Sequence, residues 1–395
     1  MGDTRSASFE GIEVHPYYRL FEPSIGQLSG GPNWPDFSER TFERHNRSGK
    51  PIDSEFESSS QRLQRIPGKS FWVGPVVDHF GHQLLDFSTR LAWATKFSPN
   101  GHYLISSLVP SSHPRALKPR RDWHYSSIPN IPLYVRNIFN WFGVREDRIH
   151  LVNEPVIVDE LQVFEQGEQF MVSPSDSYLD ELDQWRLRWS GIRTDLVYVS
   201  RTRLASPFGR LMGEKAIEAA FALAGFKVVY PELIPISLQA RIYGGAKKIV
   251  FAEGSAVHGL GLLGRIEASV FIINRRKTGF DSSVYEKSIA PRSSHFATID
   301  SLVAAFPDEN HWRSVSVLEP ELLIAKLLDL GVDLRGHLIP VNYWNSVGED
   351  FEQIDKTVEQ GLGLSKIYTH VGPGTTKAYS DFASFVRHKC GGKEN

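Results

Sequence analysis

The chain has 395 residues, 41% of them hydrophobic and 23% charged, with a formal net charge of −2. That length exceeds the roughly 100–200 residues of a single domain, and the composition is that of a folded protein. The near-neutral balance gives no nucleic-acid footprint, no run approaches the roughly 18 apolar residues of a membrane-spanning helix, and the one cysteine, Cys390, excludes a disulfide framework and fits a reducing compartment.

Residues 1–70 are polar, with clusters of Pro, Gly and Ser, and read as an N-terminal arm wrapped on a domain. No apolar leader opens them, so a cytoplasmic placement is expected. MGDTRS fits the loose myristoylation pattern, and Asn46-Arg47-Ser48 is a glycosylation sequon without a secretory context.

Residues 71–190 read as a mixed α/β domain. Phe71–Val77 suits a strand, and from Gly81 onward Leu84, Leu85, Leu91, Ala92 and Phe97 fall on one helical face. HYLISSLV suits a strand and IPLYVRNIFNWFGV a helix ended by Gly143. RIHLV, EPVIVDELQVF and QFMVS are further β-like runs, and a charged helix, SPSDSYLDELDQWRLRW, closes the half near residue 190.

Residues 191–330 alternate regularly. DLVYVS, FKVVYPE, KKIVFAE and ASVFIIN read as buried strands, separated by the helical stretches GEKAIEAAFALAG, SLQARIYGGA and SAVHGLGLLG. Strand and helix in alternation predict a doubly wound parallel sheet, whose ligands gather at the carboxyl ends of the strands. EPELLIAKLLDLG follows as an amphipathic helix, and residues 331–395 form an appendage without clear periodicity.

GLGLLG, residues 259–264, is a formal G-x-G-x-x-G. A dinucleotide fingerprint needs its first glycine in the tight turn directly after a strand, within the unit that opens the fold. Here the expected strand stops near Glu253, so a helix beginning near Ser255 would contain the glycines and use them for close packing. An NAD(P)-dependent oxidoreductase built on this segment is the alternative reading.

Three other stretches carry more chemistry. Glu253-Gly254-Ser255 lies at a strand-to-helix turn, where free N–H groups and a helix dipole favour an anion, with Ser255 as N-cap. Arg201 and Arg203 of SRTR lie at the end of the first strand of this half, and their guanidinium forks suit phosphate oxygens. In DHFGHQLLD, His82 and Asp86 share a helix face, with Asp78 in the loop before it, a reasonable source of a general base. D-x-D, H-E-x-x-H, paired C-x-x-C and G-x-x-x-x-G-K-[ST] are all absent, so neither a metal site nor a P-loop is expected.

The order DHFGHQLLD, VSRTR, then GFKVVYPELIPISLQARIYGGAKKIVFAEGSAVHGLGLL resembles glycosyltransferase family 61 and its capsular-polysaccharide-type bacterial relatives. Gly225, Phe226, Val228, Pro231, Glu232, Gln239, Ala246, Ile249 and Val250 follow the order of that family's C-terminal block. His82 and Asp86 fall at its H-x-x-x-D, and Arg201 at its strand-end arginine. Where eukaryotic members usually carry His-Gly-Ala, this chain carries Glu253-Gly254-Ser255, nearer the bacterial form.

The resemblance implies an α/β fold of two Rossmann-like domains facing across a cleft (GT-B type), with the acceptor on the 71–190 side and the nucleotide sugar on the 191–330 side. It implies an inverting, metal-independent glycosyltransferase in polysaccharide biosynthesis, using a UDP-linked donor and a glycan or other hydroxyl acceptor, with no separate cofactor. Peripheral association with a polysaccharide-assembly complex is compatible with it. The site residues it suggests are His82, Asp86 and Asp78 for catalysis, and Arg201, Arg203, Glu232, Gln239, Glu253, Gly254, Ser255 and His258 for the donor. A non-catalytic nucleotide- or glycan-binding protein on the same fold is a further alternative.

Overall fold

The computed structural model describes residues 4–19, 28–59, 62–109, 125–187, 192–204, 209–277, 282–307, 314–359 and 375–391. The start of MGDTRS, residues 1–3, lies outside them. By internal contacts the chain forms two units. The first comprises residues 1–190, 235–241 and 258–266, and the second 191–234, 242–257 and 267–395.

In the first unit the strands are β1 (Ser6–Arg19), β2 (Leu28–Pro32), β3 (Asn46–Arg47), β4 (Lys50–Pro51), β5 (Asp53–Ser54), β6 (Gln64–Pro75), β7 (His102–Ser106), β8 (Ile149–Val152) and β9 (Val156–Phe164). Among the described residues seven of them make one sheet in the order β5-β2-β1-β9-β6-β7-β8, while β3 and β4 form a separate hairpin. The neighbours β9-β6-β7-β8 run parallel, and β1 lies antiparallel along β9 from Ser6↔Phe164 to Val14↔Val156.

The stretch expected as an arm therefore supplies strands of the sheet. Phe9, Ile12 and Val14 are buried in its core with Trp72, Val158 and Leu161. Gly11, at φ 60°, changes the alternation between Phe9 and Ile12, a left-handed conformation that favours glycine. Arg90, fully buried, fastens residues 42–45 to this framework. It donates to the carbonyls of Phe42, Glu43, Arg44 and Phe164 and lies 2.9 Å from His45 Nε2.

Helix α1 (Phe80–His82) runs into a π-type turn, Gln83–Phe87, and α2 (Leu91–Phe97) follows. Helices α3 (Leu133–Trp141) and α4 (Asp176–Leu187) complete this unit, while QFMVS, expected as a strand, makes only an isolated Gln169↔Val172 bridge.

The second unit is built on β10 (Thr194–Val199), β11 (Lys227–Val229), β12 (Ala246–Ala252), β13 (Ser269–Ile273) and β14 (His295–Ile299), with a hairpin of β15 (Leu302–Phe306) and β16 (Val315–Leu318). The five-stranded sheet runs β11-β10-β12-β13-β14, every pair parallel. Val197, Tyr198 and Val199, like Ile249 to Ala252, are buried on both faces, which explains their unbroken apolar runs. Helix α5 (Glu214–Leu223) joins β10 to β11 and is stopped by Gly225 at φ 86°. Helix α6 (Ile236–Gly244) joins β11 to β12.

Helices α7 (Ser282–Ile289), α8 (Pro320–Asp329), α9 (Pro340–Glu359) and α10 (Thr375–Lys389) follow. The last two lie in the region that shows no clear period by sequence. Tyr343, Val347, Phe382 and Val386 nevertheless join the core that contains Phe221 and Val250.

Candidate active site

In the second unit, β10 has β11 on one side and β12 on the other, so the chain reverses its winding at the β10/β12 boundary. In such sheets the carboxyl ends of those two strands flank the ligand crevice. Here they deliver Ser200-Arg201 and Glu253-Gly254.

The Arg201 guanidinium lies directly over Gly254, where an added Cβ would collide with it. Its Nη2 donates to the Gly209 carbonyl at 3.0 Å, while its buried Nε has no hydrogen-bond partner among the described residues. A buried donor left unpaired costs about 1–3 kcal/mol, which an anion at this point would offset.

The polypeptide around Arg201 is tightly held. Its backbone N–H donates to Glu214 Oε1 at 2.6 Å, and Ser200 Oγ and Tyr198 Oη approach the same oxygen at 3.2 and 3.3 Å. Glu218 Oε2 accepts from Ser200 Oγ and Thr202 Oγ1, each at 2.7 Å, and its Oε1 accepts from Tyr230 Oη at 2.7 Å. The exposed Arg203 guanidinium lies 5.4 Å from the centre of the Tyr230 ring. Burial raises the Glu214 carboxyl to about 7, against the hydrogen bond from Arg201 N–H and the Arg201 charge. Glu232 is also raised by partial desolvation, opposed by the charges of Arg201 and Arg203, so all three share one electrostatic neighbourhood.

Glu253, expected among the donor residues, is fully occupied by protein. One oxygen accepts from the backbone N–H groups of Arg275 and Arg276 at 2.7 and 3.0 Å, and the other pairs with the Arg276 guanidinium. Burial opposes ionisation here, but the charges of Arg276 and Arg275 outweigh it and hold the carboxyl below its ordinary range. Glu253 is thus a clamp between the ends of β12 and β13. Ser255 is exposed at the start of a 3-10 helix, Ser255–Leu262.

The same clamp introduces Arg275, which the sequence reading passed over. It is buried and donates to the Ser314 carbonyl at 2.8 Å. Burial, then the charge of Arg201, lowers it to about 10. Its signal was available: the Arg-Arg pair at the carboxyl end of ASVFIIN.

The glycines of GLGLLG do not form a phosphate loop. Gly259 and Gly261 lie within the 3-10 helix, beyond the turn that follows β12. A Cβ at Gly261 would make ordinary contact with Leu85, while one at Gly264 would collide with Asp183 of α4. Arg265, next in sequence, pairs with Asp176, Asp180 and Asp183. The close packing expected of these glycines is therefore made by Gly264, against helix α4.

The first unit gathers the second set of residues. His79 caps α1, its Nδ1 accepting from His82 N–H at 3.3 Å, and the two rings stack at 4.2 Å. Partial desolvation, with the His82 and Arg47 charges, holds His79 down to about 4, so it is neutral at pH 7.

Asp86 is fully buried. Its Oδ1 accepts from Phe170 N–H at 2.8 Å, and its Oδ2 lies 3.2 Å from His82 Nδ1 and 3.5 Å from Arg47 Nε. Arg47 Nη2 sits 2.6 Å from both His82 ring nitrogens, and its guanidinium lies over Phe170. Asp78 is exposed and accepts from Tyr134 Oη at 3.2 Å.

His258, grouped by sequence with the donor residues, belongs to this cluster. A Cβ at Gly81 would come within 2.6 Å of His258 Cδ2, so the glycine of DHFGH makes room for that ring. Gln239, also expected on the donor side, is buried and falls within the first unit. Arg47 was missed because it lies in the polar stretch before the domain, far from its partners in sequence.

Residues 80–264 match the model of the Glycosyltransferase 61 family. That stretch belongs to glycosyltransferase family 61. No match was found among curated proteins. The glycosyltransferase 61 segment encloses His82, Asp86, Arg201, Arg203, Glu214, Glu232 and Glu253 to His258, whereas Asp78, Arg47 and Arg275 fall outside it. Membership supports a glycosyltransferase, which takes a sugar donor and an acceptor. No helix among the described residues is long and apolar enough to cross a membrane.

Proposed function

We propose that this protein is an inverting, metal-independent glycosyltransferase of the GT-B type, transferring a sugar from a nucleotide-sugar donor, UDP-linked in the simplest case, to a hydroxyl of a glycan. The observation that carries the reading is Arg201 at the β10/β12 switch point, its guanidinium laid over Gly254 with Nε lacking a partner among the described residues. In this reading Arg201, supported by Arg203 and Arg275, takes the charge that develops on the leaving diphosphate. Preorganised donors of this kind contribute several kcal/mol in the transition state.

The proton from the attacking hydroxyl goes to His82, oriented through Nδ1 by Asp86. Arg47 now sits against both ring nitrogens, so it must withdraw before Nε2 can act as a base. Asp78, exposed beside Tyr134, is the second candidate base. Glu232 is the carboxylate left for donor hydroxyls, since Glu253 is committed to Arg275 and Arg276. The family resemblance supports a role in capsular-type polysaccharide synthesis.

The test is binding by calorimetry of UDP, GDP and NAD+ to the purified chain. A nucleoside diphosphate should bind wild type and lose affinity in Arg201→Ala. Binding of NAD+ alone, or equal nucleotide affinity in the two proteins, removes the reading.

A further inference from the structure

An arginine at the end of a strand has four rotatable bonds and no fixed direction unless its backbone is held. Here the Arg201 N–H is held by one carboxyl group. Glu214, at the first turn of α5 and buried, accepts the Arg201 N–H at 2.6 Å on the same oxygen that Ser200 Oγ and Tyr198 Oη approach. The start of α5 is fixed in turn from the C-terminal region. Gly213 N–H donates to Asp350 Oδ2 of α9 at 2.9 Å, and a Cβ at Gly213 would press on Tyr343 and Val347 of the same helix.

We propose that Glu214 is a positioning residue for Arg201, and that Asp350 supports it by anchoring the helix on which Glu214 stands. The inference rests on the diphosphate role given above to Arg201. Glu214 does not itself meet the ligand. It fixes the point from which the side chain leaves β10, so that Nη1 stays over Gly254.

The experiment is calorimetry with UDP, GDP and uridine on wild type, Arg201→Ala, Glu214→Ala, Glu214→Gln, Asp350→Ala and the Arg201→Ala/Glu214→Ala double variant. Loss of one hydrogen bond from a backbone N–H to a buried carboxyl oxygen corresponds to roughly tenfold in affinity. Glu214→Ala should therefore weaken nucleoside diphosphate binding about tenfold without weakening uridine, and Glu214→Gln, which keeps an acceptor oxygen, should recover most of it. The double variant should bind no worse than Arg201→Ala, because two residues acting through one interaction are not additive.

If Glu214→Ala does not fold, Asp350→Ala should still show the same selective loss, about two- to fivefold. Additive losses, an equal loss for uridine, or unchanged diphosphate affinity in folded Glu214 and Asp350 variants would overturn the positioning role alone. Unchanged affinity in Arg201→Ala, or no nucleoside diphosphate binding by wild type, would overturn the diphosphate reading on which it rests.

Discussion

In the first unit a buried carboxylate, Asp86, is surrounded by donors: Phe170 N–H, His82 and Arg47. In the second unit a cation, Arg201, is held by its backbone and one carbonyl, while its Nε has no partner among the described residues. Both centres sit where the chain leaves a regular element, and both depend on a glycine that leaves room for a side chain, Gly81 for His258 and Gly254 for Arg201. Each centre has one buried side-chain atom without a hydrogen-bond partner among the described residues, Asp86 Oδ2 in the first and Arg201 Nε in the second, and the contrast lies in the sign of the charge. A carboxylate beside an imidazole orients and stabilises it, whereas a guanidinium invites an anion.

Removing the cation is the most direct way to break this comparison. Arg201→Ala should lower nucleoside diphosphate affinity about a hundredfold, as expected for lost charge-assisted hydrogen bonds, while the nucleotide-free protein melts within a few degrees of wild type. A nucleotide-free protein that no longer folds would make Arg201 structural instead.

The complementary change is Asp86→Asn. It should lower turnover about a hundredfold or more through loss of imidazole orientation, and leave nucleotide affinity unchanged. Steady-state kinetics beside calorimetry separates the two effects, and a matching fall in nucleotide affinity would merge the two centres' roles.

A third prediction concerns pH. The folded-state value of Glu214, about 7, lies above the 4.5 of an unperturbed carboxyl. The folded state therefore binds the proton more tightly, and this contribution is complete below about 4.5 and is lost as pH rises through about 7. Its size is on the order of 3 kcal/mol at most. Wild type should lose melting temperature between pH 5 and 8, and Glu214→Gln should lose less. Parallel curves for the two proteins would assign the pH dependence elsewhere.

The smallest expected effect is that of Gly81→Ala, which must displace His258 and should cost about 1–3 kcal/mol of stability. Unchanged stability and turnover would mean that the His258 ring moves aside without consequence.

The second unit's first four strands and first two helices were legible because each is a local pattern: an apolar run, a helical face, a glycine stop. β14 escaped because His295–Ile299 is short and only Ile299 is deeply buried. β1 escaped because the left-handed conformation at Gly11 interrupts the alternation that marks a strand, and α9 and α10 because polar residues dilute their periodicity. For the site, DHFGHQLLD and SRTR were readable as chemistry-bearing residues at element ends, and the family match covers both.

The sequence by itself determined the alternating α/β pattern, the glycosyltransferase 61 motifs and the judgement that GLGLLG follows its strand too late to cradle a pyrophosphate. Local spacing is enough for each of these. Only the tertiary structure decided that Glu253 is spent on Arg275 and Arg276, that Arg47 reaches His82 and Asp86, that His258 lies on Gly81, and that Glu214 holds Arg201. Each is a contact between residues distant in sequence or turned toward each other by a loop, and no local period encodes which buried charge will meet which partner.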